Sequence, residues 1–145
     1  MSSTPEPIRR HADDLTAADA DAVLAFLEPR LLAQREGRRV TPAHRMATAL
    51  DRIARHAAYD VDYHSRKLAK DDFRSSTDRL ESLFALCDAW NLLWEAVSPW
   101  QEEAGYDRAR WVHIEYTSAA VAEEAEARKA QIDAELQAEA EKSGA

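Results

Sequence analysis

The sequence predicts an all-α protein: a three- or four-helix antiparallel bundle with a long protruding C-terminal helix. Three observations carry that expectation. Alanine takes about a fifth of the 145 positions while glycine takes only three. Apolar residues recur every three or four positions and do not alternate, and capping residues and prolines divide the chain into helix-sized stretches. The length suits one domain with one core.

Residues 1–14 are polar and are expected to form a disordered leader, with a helical bundle over residues 15–121. Thr16 caps the first helix, with Asp19 three residues on in a capping-box arrangement. Val23, Leu24, Phe26, Leu27, Leu31 and Leu32 supply its apolar side, and Gly37 stops it. Pro29 lies inside this pattern, so a kink or break is expected near Leu27 and Glu28. Thr41-Pro42 starts the second helix, a capping hydroxyl followed by proline at the first helical position. Met46, Leu50, Ile53, Ala57, Val61, His64 and Leu68 then mark one helix from Pro42 to about Lys70.

Asp71-Asp72 and Ser75-Ser76 end that helix and cap the third, expected over Thr77 to Val97. Its inner residues read as Leu80, Leu83, Phe84, Cys87, Trp90, Leu93, Trp94 and Val97. Ser98-Pro99 ends it, because a residue before proline is pushed out of the helical region. Trp100 follows and is expected to cap the core. Beyond Gly105-Tyr106-Asp107 a last helix is expected from Arg108 to Glu141, with Trp111, Val112, Ile114 and Tyr116 in its first half. Its Ala/Glu-rich end, residues 122–145, is expected to be solvated or to pair with another chain.

Composition excludes several classes. One cysteine makes no internal disulfide, and no apolar run reaches the roughly 18 residues of a membrane span. Arg9-Arg10 is followed by His11-Ala12-Asp13-Asp14 where a twin-arginine signal needs an apolar stretch. A cytoplasmic protein is expected, and the bias of 15 Arg to 4 Lys fits a bacterial or phage genome rich in GC. No G-x-S-x-G, P-loop or G-x-G-x-x-G occurs. Asp78, Glu81 and the Glu123-Glu124-x-Glu126 run lack the paired spacing of a magnesium-dependent pyrophosphohydrolase and read as solvated helix faces. Cys87 reads as a small buried hydrophobe. No cofactor is expected.

His56, Asp60 and His64, each four apart on one helix, are the candidate metal ligands, with His113, Glu115 or Asp88 completing a set from elsewhere. An enzyme or metal-binding bundle around Asp60, His64 and His113 is therefore the alternative reading. Arg108 and His113 have the Arg-x4-His spacing found in helical HEPN ribonucleases, which that short motif alone resembles. The resemblance implies phosphate polarisation by the arginine and proton transfer by the histidine. Arg39 and His44 share the spacing.

Charge is distributed unevenly along the chain. Residues 1–37 carry -3, 38–70 carry +5, 71–100 carry -4 and 101–145 carry -6, within a net charge of -8. The second helix is thus basic in an acidic protein. Arg45, Arg52, Tyr59 and Arg66 recur every seven residues, with Arg55 and Tyr63 beside them, on the side away from the expected core. Such a row is open to ion pairing within the chain or to plain solvation, and it also suits a protein interface, because Arg and Tyr offer large contact area and fixed polar geometry. The leading expectation is a non-catalytic interaction or assembly protein that self-associates through this row and the acidic last helix. Net negative charge opposes a nucleic-acid partner, and no membrane partner is expected.

Overall fold

Ser and Thr caps set the helix starts. In the computed structural model, which describes residues 10–37 and 39–144, α1 spans Ala17–Gln34, α2 Pro42–Lys70, α3 Ser76–Val97 and α4 Ala119–Ser143. Thr41 accepts a hydrogen bond from the His44 N–H (3.1 Å), Ser75 from Asp78 (3.2 Å) and Ser118 from Val121 (3.3 Å). At α1 the Thr16 N–H donates to the Asp19 carboxylate at 2.9 Å, the return half of a capping box. No strand occurs among the described residues, and none of their helices is long and apolar enough to cross a membrane.

The first three helices form two successive antiparallel hairpins. Ion pairs Glu28–Arg55 (2.8 Å) and Arg35–Asp51 (4.0 Å) join the second half of α1 to the first half of α2. His64 meets Ser82 at 2.8 Å and Arg79 meets Asp71 at 3.5 Å, which places the end of α2 beside the start of α3. Val23, Leu27 and Leu31 of α1 and Leu86, Trp90 and Leu93 of α3 are fully buried between the helices. The long helix α4 leaves this bundle, and Ala122 is its only buried residue among those described.

Three expectations about α1, α2 and α3 are corrected. Helix α1 runs unbroken through Pro29. Both Pro29 and Ala25, whose carbonyl loses its intrahelical donor, face solvent, so water replaces the missing bond. The buried side of α2 is Ala47, Ala54, Ala57, Ala58, Val61 and Ser65, turned about 60° from the predicted stripe at 100° per residue. Met46 is 71% exposed and Ile53 44%. Small side chains on that face, with Ser82, Ala89 and Ala96 every seven residues on the buried side of α3, let the helix axes approach closely. In α3 itself, Leu80 and Phe84 lie outside.

The last helix starts at Ala119, not Arg108. Residues 107–118 form a non-helical strap laid on α3, a turn at residues 108–110 followed by an irregular run. Buried Trp90 donates its indole N–H to the Val112 carbonyl (2.8 Å), and Trp94 donates to Trp111 (3.1 Å). Asn91 holds Ile114 twice, donating to its carbonyl and accepting from its N–H, both at 2.8 Å. These side chains stand in for the backbone partners that a segment outside helix and sheet lacks. Edge-to-face contacts among Phe26, Tyr106 and Trp111, with centroids 5.0 to 5.9 Å apart, close that end of the bundle, and Trp100 packs half-buried against the core.

The expected leader is ordered where it is described. Residues 1–9 lie outside the described residues, but Ala12 is fully buried and begins a short 3-10 turn, Ala12–Asp14. Its N–H donates to the Tyr116 carbonyl at 3.2 Å, and Asp13 donates to Thr117 at 3.1 Å. Arg10 and Arg110 converge on Asp19, which is 2% exposed. Arg10 donates to one carboxylate oxygen at 3.0 Å, and Arg110 donates twice to the other at 3.0 and 2.7 Å. Arg10 also donates to the Arg110 carbonyl at 2.8 Å and lies 5.8 Å from the Trp90 ring centroid. One carboxylate therefore ties the N-terminal segment, α1 and the strap together.

Burial opposes ionisation of Asp19 most strongly, but hydrogen bonds from Arg10, Arg110 and the Thr16 N–H outweigh it and hold the carboxyl below its usual range. A carboxyl depressed in the folded state stabilises fully above its unfolded value of about 3.9. That contribution is lost as pH falls from there through the folded value. Asp19→Asn is expected to cost about 3–5 kcal/mol at neutral pH, since it leaves a buried guanidinium uncompensated. Urea unfolding across pH checks this: the gap between variant and parent should shrink only below about pH 4. Asn91→Leu is expected to cost about 1–3 kcal/mol in the same measurement, by orphaning the Ile114 N–H and leaving its carbonyl only the weak Cys87 thiol as donor.

Candidate functional site

The candidate site is the outer face of α2. That helix begins at Pro42 and ends where Asp71 takes a left-handed conformation (φ 50°), its N–H bonded to the Lys67 and Leu68 carbonyls. Because its alanine face turns inward, the opposite face carries Arg45, Arg52, Tyr59, Tyr63 and Arg66 outward. All five are exposed, Tyr59 to 67%. Toward the C-terminal end Tyr59, Tyr63, Arg66, Lys70 and Asp72 help line a surface cavity of about 380 Å³. The predicted row is therefore a real surface feature, aromatic at its middle and cationic at both ends.

Its members differ in how free they are. Arg55 turns toward α1, where it bridges Glu28 (2.8 Å) and Asp51 (3.1 Å), and these hydrogen bonds hold its proton more firmly than usual. Arg66 pairs with Asp62 one turn back at 2.9 Å. Arg45 and Arg52 have no ion-pair partner among the described residues. Two of the six predicted contact residues are thus committed to local pairs that water screens. Two keep their charge for something else.

The metal candidates do not come together. His64 is half-buried with Nδ1 on the Ser82 hydroxyl, and His56 is exposed with Asp60 at 3.6 Å. Burial is the main cause that pushes His64 below the usual histidine range, Lys67 adds to it, and Asp60 works against it. His113 sits on the strap, its ring edge-to-face with Trp94 at 5.4 Å. Ser82 and Trp94 are twelve residues apart on α3, about 18 Å along the axis. Among the described residues no three His, Cys, Asp or Glu side chains form a metal-holding group, and Glu115 and Asp88 complete none.

Arg108 and His113 do face one open recess of about 300 Å³, walled by Trp94, Tyr106 and Trp111. They reach it from the strap and not from a helix, and Arg108 is engaged by Glu102 at 2.6 Å. This departs from the helical placement the ribonuclease resemblance implied. The Cys87 thiol is raised above its usual range, chiefly by burial and further by the charge of Asp88, and it donates to the Ile114 carbonyl at 3.4 Å. It acts as a packing residue of the strap contact.

Residue spacing did not expose the Asp19 clamp or the Asn91 contact. Their members stand 91 and 23 positions apart, and the available hint was the run Trp111-Val112-His113-Ile114-Glu115-Tyr116-Thr117, rich in side chains that favour extended backbone. No protein-family model, no curated protein and no solved structure matches the chain.

Arg45 and Arg52, exposed and without an ion pair among the described residues, should be replaceable with little structural cost. Arg45→Ala and Arg52→Ala are each expected to change unfolding free energy by less than about 0.5 kcal/mol. Thermal denaturation followed by circular dichroism measures it.

Proposed function

We propose that the protein is a non-catalytic interaction or assembly module that self-associates through the Arg/Tyr face of α2 and the acidic helix α4. One observation carries the reading: α4 is a capped helix of 25 residues that buries almost nothing of itself. Most helical stability in proteins comes from packing one face against a neighbour, and α4 finds almost none of that in its own chain, so a partner surface suits it. Val121, Ile132 and Leu136 lie exposed along it, on or near one side. Helix α4 carries a net -4 over residues 119–143, and α2 a net +3 over residues 42–70.

In this reading residues 15–121 form the bundle and residues 122–145 the pairing arm. The protein works in the cytoplasm of a bacterium or its phage, with no cofactor. Its partner is a protein, in the first place a second copy, and not a nucleic acid, since the net charge of -8 repels phosphate. The enzyme reading around Asp60, His64 and His113 gains no support from side chains that far apart.

Light scattering tests the proposal. The full chain is expected to run as an oligomer, and deletion of residues 122–145 should lower the mass to that of one chain. The bundle should keep its cooperative melting. A full-length chain that stays monomeric at high concentration would sink self-association.

A further inference from the structure

We infer that α4 of one copy lies antiparallel along the outer face of α2 of a second copy, the two copies exchanging their arms reciprocally. The inference rests on the assembly reading above and adds a partner surface, a direction and a register. Its basis is the order of charge along two exposed helices. From its N-terminus α2 presents cations at Arg45, Arg52 and Arg55 with Asp51 among them, then the carboxylates Asp60 and Asp62, then cations at Arg66, Lys67 and Lys70. Read backward from its C-terminus, α4 presents Glu141, Glu139, Glu135 and Asp133 beside Lys142, then the cations Lys129 and Arg128, then Glu126, Glu124 and Glu123. The net charges of the blocks are opposite in sign, one for one.

Spacing selects the direction. In α2 the first cationic block and the acidic block are centred about ten residues apart, roughly 15 Å of helix, and the acidic block and the second cationic block about seven. In α4 the C-terminal acidic block and the cationic pair are about eight or nine residues apart, and the cationic pair and the N-terminal acidic block about four. An antiparallel arrangement therefore matches the long interval with the long interval, and a parallel one does not. In the matching register Arg66 comes level with Glu124, Asp62 with Arg128 and Arg55 with Glu135. Arg52 then lies within one residue of the level of Glu139, which shares the side of α4 that carries Ile132 and Leu136 at 100° per residue.

Length and apolar surface agree with that placement. At 1.5 Å per residue α4 is about 37 Å long and α2 about 43 Å, so one can lie wholly on the other. Ile132 and Leu136 of α4 come level with residues 54–58 of α2, between the exposed side chains of Ile53 and Tyr59. Aliphatic groups thus meet the aromatic and aliphatic part of the face, and charges meet charges on either side. Reciprocal exchange closes the assembly at two chains and leaves no open end for further addition.

Disulfide trapping tests this on the full chain, with Cys87→Ala as background. Chains carrying Arg52→Cys are mixed with chains carrying Glu139→Cys and mildly oxidised, and a covalent heterodimer linked between positions 52 and 139 is expected. The pair Arg52→Cys with Glu124→Cys, level in the parallel arrangement, should give several-fold less product. Preferred linkage of 52 to 124 would overturn the direction. Oligomers by light scattering with neither linkage would overturn the α4–α2 contact and leave self-association standing. A linkage formed only within one chain, when both substitutions share it, would overturn the exchange, and a monomer by light scattering removes both readings.

Discussion

A single buried carboxylate is the constraint on which this architecture rests. Asp19 has lost its water, and an isolated ionised carboxylate in that position would be too costly to keep. Two guanidiniums and a backbone N–H restore what water supplied, and each comes from a different part of the chain. Arg10 brings the N-terminal segment against Trp90, and Arg110 brings the start of the strap onto the head of α1. The Asp19 side chain also caps the helix that carries it. Removing the charge would release three segments at once, which is why its effect exceeds that of any exposed pair in the molecule.

The strap transmits that constraint to the far end of the chain. Trp94, Trp90 and Asn91 grip successive residues from Trp111 to Ile114, and the N-terminal turn grips Tyr116 and Thr117 from the other side. Ser118 then caps α4 immediately. No slack remains between the clamp and the arm, so the point from which α4 departs is set by groups deep in the bundle. An interaction surface built on α4 thereby inherits a defined position from contacts that never touch a partner.

The helices α1 to α3 were legible in the sequence because local chemistry specifies them: Thr16, Thr41 and Ser75 mark their starts to within a residue. The phase of α2 was not legible. Hydrophobicity favours Met46 and Ile53 as core residues, yet close packing of helices selects Ala54 and Ala58, whose small size counts for little in a sequence pattern. The outward row survived that error, since a rotation of about 60° still leaves Arg45, Arg52, Tyr59 and Tyr63 on the solvent side at 100° per residue. The sequence pattern misplaces a helix at the strap because the order of that segment comes from α3, some twenty residues away, and not from its own propensities. Its β-branched and aromatic content was the one local hint, and Ser118 the unread start of α4.

Charge has opposite consequences at two scales. At long range two copies of a chain with net charge -8 repel each other, and this discourages indiscriminate association through exposed groups such as Met46 or Phe84. At contact distance the pattern along α2 and α4 decides. A misplaced register sets Arg128 and Lys129 against Arg55 or Arg66, and like charges brought together in an interface cost several kcal/mol. The matched register turns the same groups into attractive pairs around a small apolar strip. Repulsion between whole molecules and attraction between ordered blocks therefore act together, and what they favour is one arrangement over many weaker ones. An acidic protein with a basic helix is suited to that selectivity in a way that a uniformly charged one is not.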